Sequence, residues 1–133
     1  MFIKLLERAA ELKISNRFHF TGFLKFSETN NLFGMTDVYV MPSVSEPFGI
    51  TPLEAMRTGV PVVISKQSGV AEVLDSAIKV DFWDVNSVAD TIIGLLKHEE
   101  VSKKLASDGT NEVHEMKWEY AALKVKEVYE DTI

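Results

Sequence analysis

Ser45-Glu46-Pro47-Phe48-Gly49-Ile50-Thr51-Pro52-Leu53-Glu54-Ala55-Met56 places a turn, a glycine, a helix start and two carboxylates side by side. Immediately before it, Asp37-Val38-Tyr39-Val40-Met41 is a β-branched and aromatic run ended by Pro42, the pattern of a buried strand reaching its carboxyl end. The loop is therefore expected at the C-terminal edge of a strand, where open parallel sheets bind ligands because loops and helix N-termini converge there. Thr51 reads as the N-cap of the next helix, Pro52 as its first helical residue and Glu54 as the carboxylate completing a T-x-x-E capping box. Gly59 and Pro61 end that helix. A strand, a glycine loop and a capped helix together offer free backbone N–H groups and a positive dipole end to an anion, with phosphate the obvious candidate.

Toward the N-terminus, Phe2, Leu5, Leu6, Ala9 and Leu12 repeat at helical spacing, and residues 17–21 read as a strand closed by Gly22. A short helix through Phe33 follows, with Ser27 as its expected cap. Toward the C-terminus, residues 61–65 form an apolar strand leading to Gly69, a short helix is expected over 70–74, and residues 78–81 make a fourth strand. Asn86 or Ser87 is expected to cap a helix with Val88, Ala89, Ile92, Leu95 and Leu96 in one stripe. Two closing helices follow. The first runs through Val101, Leu105 and Val113 with Gly109 as a weak point, and the second sets Trp118, Ala121, Ala122, Val125, Val128 and Tyr129 on one face. Phe18, Phe20 and Trp118 are expected in the core. Alternating strands and helices with continuous apolar strands indicate an α/β fold: a parallel sheet of about four strands, half of a doubly wound arrangement, with helices on both faces and at the C-terminus.

The 133 residues are 46% hydrophobic and 26% charged, which suits a single domain spanning 1–133. No apolar run approaches the length that crosses a bilayer and no leader pattern is present, so a cytoplasmic chain is expected. The absence of cysteine excludes thiol chemistry, and the three histidines, 19, 98 and 114, lack metal-ligand spacing, so no metal ligand is expected. A net charge of −6 argues against a nucleic-acid partner.

Taken together, Ser-x-x-Glu-Pro-Phe-Gly-Ile-x-x-x-Glu-Ala-Met from Ser43, Gly-Val-Pro-Val-Val from Gly59 and Ser-Gly-Val-Ala-Glu from Ser68 resemble the donor-site signature of the family 4 (group 1) retaining glycosyltransferases of GT-B fold, which include bacterial glycogen synthases. Arg17-Phe18-His19-Phe20-Thr21-Gly22 and Lys117-Trp118-Glu119 extend the likeness toward both ends. The resemblance implies that Glu46 is the catalytic-site glutamate that holds hydroxyls of the donor sugar, and that Glu54 holds the ribose hydroxyls of the nucleotide. It implies that Phe48, Gly49, Ile50 and Thr51 form the loop whose amides contact sugar and distal phosphate, and that Leu24 touches the base. The donor substrate is then a nucleotide-diphosphate sugar, with no separate cofactor or metal. Chemistry makes these roles reasonable, because one carboxylate can accept from both hydroxyls of a diol.

In that family a strand with a glycine loop and a basic pyrophosphate clamp comes earlier in the domain, preceded by a whole acceptor-binding domain. Lys4, Arg8 and Lys13 do not match the clamp. The chain thus resembles the donor-binding part of a retaining hexosyltransferase, lacking two strands and the acceptor domain, and inactive by itself. The two strands flanking the gap, 18–21 and 38–41, are expected either to pair directly, the favoured outcome, or to borrow pairing from another chain. The alternative is a non-catalytic α/β module that binds a nucleotide or phosphate. Read individually, Glu54 is also a helix-capping residue, Gly49 and Gly69 also relieve tight turns, and Lys25 and Lys66 stand as candidate replacements for the clamp.

Overall fold

A computed structural model describes residues 2–131, apart from the side chain of Trp118. Its centre is a sheet of three parallel strands, β1 (Tyr39–Met41), β2 (Val62–Ser65) and β3 (Ile78–Val80), in the order β1-β2-β3. Tyr39 pairs with Val62 and Val63 with Ile78, so successive strands advance by one neighbour per helical crossover. Helices α1 (Phe2–Glu11), α2 (Phe26–Phe33) and α3 (Thr51–Arg57) precede β2, and α4 (Val85–Lys97), α5 (Glu99–Glu115) and α6 (Trp118–Asp131) follow β3. Short 3-10 turns lie at Ser15–Arg17 and Gly69–Glu72.

All four residues of β2 are buried, and their alternation divides the core in two. Val62 and Ile64 face a cluster with Phe33, Met41, Ala55, Met56, Val70 and Leu74, supplied by α2, α3 and the 69–72 turn. Val63 faces Val80, Leu95, Val88 and Leu105, supplied by β3, α4 and α5. Met56, Ile64 and Leu74 are nearly or wholly removed from water, a gain of roughly 1.5–3 kcal/mol for each. Helix α5 clasps the assembly: Thr110 Oγ1 donates to the Met56 carbonyl at 2.8 Å, and the Glu112 carboxylate accepts from the backbone N–H groups of Asp75 and Ser76, both at 2.7 Å.

Several sequence expectations are corrected. The sheet has three strands rather than four, because residues 18–21 are not in a ladder and are not paired to β1. Phe18 is extended, but a strand persists only with a neighbour, and Phe20 turns instead to Phe2, edge-on at 4.8 Å, with Phe18 stacked on it at 6.0 Å. Phe18 and Phe20 are therefore 51% and 39% exposed, not core. The 70–74 helix is a 3-10 turn beginning at Gly69. Lys25, not Ser27, precedes α2, with its N–H held by Glu28 at 2.7 Å. Asp84, not Asn86 or Ser87, caps α4 by accepting from the Ser87 N–H at 3.0 Å. Gly109 is no weak point: it is buried in α5, against Met56. The face expected to bury α6 is open, with Ala121, Ala122, Val125 and Tyr129 all exposed.

Those open helices account for an unusually large surface. The chain exposes 9896 Å², whereas a compact monomer of its mass would expose about 7,000 Å². Helix α1 buries only Ala9, leaving Phe2, Leu5 and Leu12 about half exposed.

The C-terminal ends of β2 and β3 are tied into one rim. Ser65 Oγ donates to Gln67 Oε1 at 2.7 Å, and Gln67 Nε2 and Lys66 Nζ each donate to the Asp81 carboxylate at 2.9 Å. Ser68, buried, returns its hydroxyl to the Ser65 carbonyl at 2.7 Å. From this base Gly69 and Val70 donate their N–H groups across to the carbonyls of Glu46 and Phe48, at 2.9 and 2.8 Å. The approach is so close that a Cβ on Gly69 would lie 1.9 Å from the Pro47 oxygen. Gly69 therefore serves a backbone contact between two loops rather than a turn of positive φ.

Two outcomes follow. Gly69→Ala meets rigid backbone and is expected to lower unfolding free energy by about 3 kcal/mol or more. Gly109→Ala meets only the mobile end of Met56, at 2.7 Å, and gains helix propensity, so it should stay within about 1 kcal/mol of the parent; urea unfolding midpoints at unchanged slope check both. The hydrogen bonds from Lys66 and Gln67 hold the Asp81 carboxyl below the usual carboxylate range. A lowered folded-state value stabilises above the unfolded value and is lost as pH falls through the folded one. The stability gap between parent and Asp81→Asn should thus be present at neutral pH and close at acid pH, which a pH series of the same midpoints measures.

Candidate functional site

The loop between β1 and α3 owes its course to Gly49, whose φ of +87° belongs to glycine and whose missing Cβ admits the Glu46 and Met41 side chains at 3.1 and 3.2 Å. Glu46 forms an isolated parallel bridge with Ser68, so the loop continues the sheet for one rung beyond β1. Ile50 then takes helical dihedrals and its carbonyl accepts from the N–H groups of Leu53 and Glu54, at 2.9 and 3.2 Å.

This start corrects the expected capping box. Ile50, not Thr51, is the N-cap, and it makes no side-chain cap. Thr51 already lies inside the helix and its hydroxyl is bonded to the Tyr39 hydroxyl at 2.7 Å. Glu54 is therefore not folded back onto a cap. Among the described residues no hydrogen bond or ion pair engages the carboxylate of Glu54 or of Glu46, although both residues are partly buried. The N–H groups of Gly49, Ile50 and Thr51 likewise find no acceptor among the described residues.

Tyr39 joins the two carboxylates. Burial pushes its phenol above the ordinary tyrosine value; the Thr51 bond opposes this, and the negative charges of Glu46 and Glu54 push it further up. Both glutamates thus act on one hydroxyl at the start of α3. Reading the sequence alone passed over this residue, because a tyrosine in a strand has the same pattern value as any aromatic.

Phe48, 43% exposed, forms a wall of an apolar hollow of about 540 Å³ with Leu53, Val73, Met116 and Tyr120. Ile50 is 65% exposed beside it in sequence. Glu46, Phe48, Gly49, Ile50, Thr51 and Glu54 therefore share one continuous surface element at the C-terminal rim. Leu24 stands apart: it is partly buried in the turn before α2, and among the described residues no hydrogen bond or core cluster ties it to this loop. Lys66 is not a free cation for that rim, being paired with Asp81.

The sequence pattern described as glycosyl transferases group 1 matches residues 2–112. The chain is 31% identical over 132 residues to N-acetyl-alpha-D-glucosaminyl L-malate synthase of Bacillus anthracis, covering 97% of this chain and 33% of that protein. Its fold superimposes on the sucrose-phosphate synthase of Thermosynechococcus elongatus with a TM-score of 0.82 at 26% identity, over 97% of this chain and 33% of that one. It also superimposes on Anabaena HepE in complex with UDP-glucose, with a TM-score of 0.79 at 24% identity, over 84% and 31% of the two chains. The chain thus spans at most about a third of the B. anthracis relative and of these structures. The chain belongs to the glycosyl transferases group 1 family.

Proposed function

We propose that this chain is the donor-binding part of a hexosyltransferase that takes its sugar from a nucleotide-diphosphate donor and transfers it with retention. The observation that carries the reading is the pair of unengaged carboxylates, Glu46 and Glu54, set about a hydroxyl and a loop with free amides. Glu54, within α3, accepts from the ribose hydroxyls, and Glu46, at the loop's beginning, accepts from hydroxyls of the sugar. The diphosphate lies between them, against the amides of Gly49, Ile50 and Thr51. Leu24 approaches the base once the ligand is bound.

In the transfer, the bond between the anomeric carbon and the distal phosphate oxygen breaks and that oxygen keeps the electron pair. The acceptor's hydroxyl oxygen bonds to the same carbon, on the face the phosphate leaves, and its proton passes to the departing phosphate. Charge grows on the leaving diphosphate, where preorganised N–H donors stabilise it without reorganisation. Beyond the donor and the acceptor, this reading requires no metal or separate cofactor. The acceptor is held by a domain outside this chain, in the cytoplasm, so the 133 residues alone bind the nucleotide with at most millimolar-order affinity, about 4 kcal/mol, and transfer nothing.

Ligand-observed NMR titration with UDP and UDP-glucose tests the assignment. Glu54→Gln should weaken both ligands about tenfold, the cost of a charged hydrogen bond in the ribose grip. Glu46→Ala should weaken UDP-glucose and leave UDP unchanged. Equal losses of the two ligands on Glu46→Ala would overturn its sugar role, and UDP binding without discrimination of UDP-glucose by any variant would favour a plain nucleotide module. Turnover of a nucleotide sugar by the chain alone would overturn the inactivity.

A further inference from the structure

We propose, resting on the donor-site reading above, that Tyr39 and Thr51 form a hydroxyl pair that donates a hydrogen bond to the diphosphate of the bound donor. Two hydroxyls 2.7 Å apart share one of their two hydrogens. The other hydrogen has no acceptor among the described residues, since neither hydroxyl makes a second hydrogen bond. It belongs to whichever partner accepts, and either arrangement leaves a donor at the same place.

The setting selects what that donor serves. Thr51 is exposed on the first residue of α3, while the Tyr39 ring is partly buried and packs edge-on against Phe33 at 5.7 Å, so its hydroxyl is held in place before any ligand arrives. Burial first, and then the negative charges of Glu46 and Glu54, raise the phenol above its ordinary value, and the two carboxylates make the surroundings negative. A diphosphate entering there meets two like charges, and the rim cation Lys66 is already committed to Asp81. A ligand with only acceptor oxygens can be held at such a point by neutral donors, and the hydroxyl pair adds a side-chain donor to the loop amides. A sugar hydroxyl, by contrast, is already served by the two carboxylates.

The experiment compares UDP with uridine on the 133-residue chain by NMR titration, with amide resonances far from the loop reporting that each variant is folded. The double variant Tyr39→Phe/Thr51→Val removes the donor altogether and should lower UDP affinity about fivefold, about 1 kcal/mol for one neutral hydrogen bond, and leave uridine unchanged. Tyr39→Phe or Thr51→Val alone keeps one hydroxyl that still carries a hydrogen, so each should lose less than the double variant, and Thr51→Ser should retain the affinity. Unchanged UDP affinity in the double variant, or equal losses of UDP and uridine, overturns the proposal while sparing the donor-site reading. Absence of UDP binding by the parent chain overturns both.

Discussion

Two N–H groups, on Gly69 and Val70, hold the loop of Glu46 to Phe48 in place, and the site depends on that backbone contact. It needs three things at once: a glycine at 69, because any Cβ would overlap the Pro47 carbonyl; a 3-10 turn that aims both donors the same way; and a fixed base for that turn. The base is the hydrogen-bond chain from Ser65 through Gln67 to Asp81, anchored on the ends of two strands. Geometry of the 46–48 loop is thus inherited from the ends of β2 and β3 rather than from the loop's own side chains. This frees Glu46, Glu54 and the amides of 49–51 from structural work and leaves them available to a ligand.

How much could be read from the residues follows from what each feature depends on. The strand at 38–41, the glycine loop and the helix after it were readable because local rules decide them: β-branched alternation, a positive φ at Gly49, Pro52 within the first turn. The fully buried β2 was readable for the same reason. The 17–21 segment has equally good strand residues and forms no ladder, since a strand is a relation between two segments and no pattern within one of them reports its neighbour. Phe18 and Phe20 look like core by type, yet among the described residues their ring partners are each other and Phe2.

Caps were misread in a consistent direction. At α2, α3 and α4 the residue types suggested Ser27, Thr51 and Asn86 or Ser87, while the helices begin after Lys25, Ile50 and Asp84. Each start lies one to three residues earlier, because the backbone enters helical geometry as soon as the preceding loop delivers it, and a favourable cap residue further on does not delay it. At α3 the consequence is chemical. A Thr51 spent on capping would have bound its own helix; displaced into the first turn, its hydroxyl meets Tyr39 instead.

The same reasoning explains why the rim can be well formed while other parts of the chain stay open. Core packing joins β1, β2, β3 and helices α2 to α5, and the 46–48 loop is tied to that body through Gly69 and Val70. Helices α1 and α6 contribute almost nothing to it, and the edge of β1 away from β2 carries no strand among the described residues. The open edge of β1 costs little to the loop that follows this strand, because the loop is held from the β2 side by the N–H groups of Gly69 and Val70. Order in the 46–54 element and an open edge on β1 therefore coexist in one sheet.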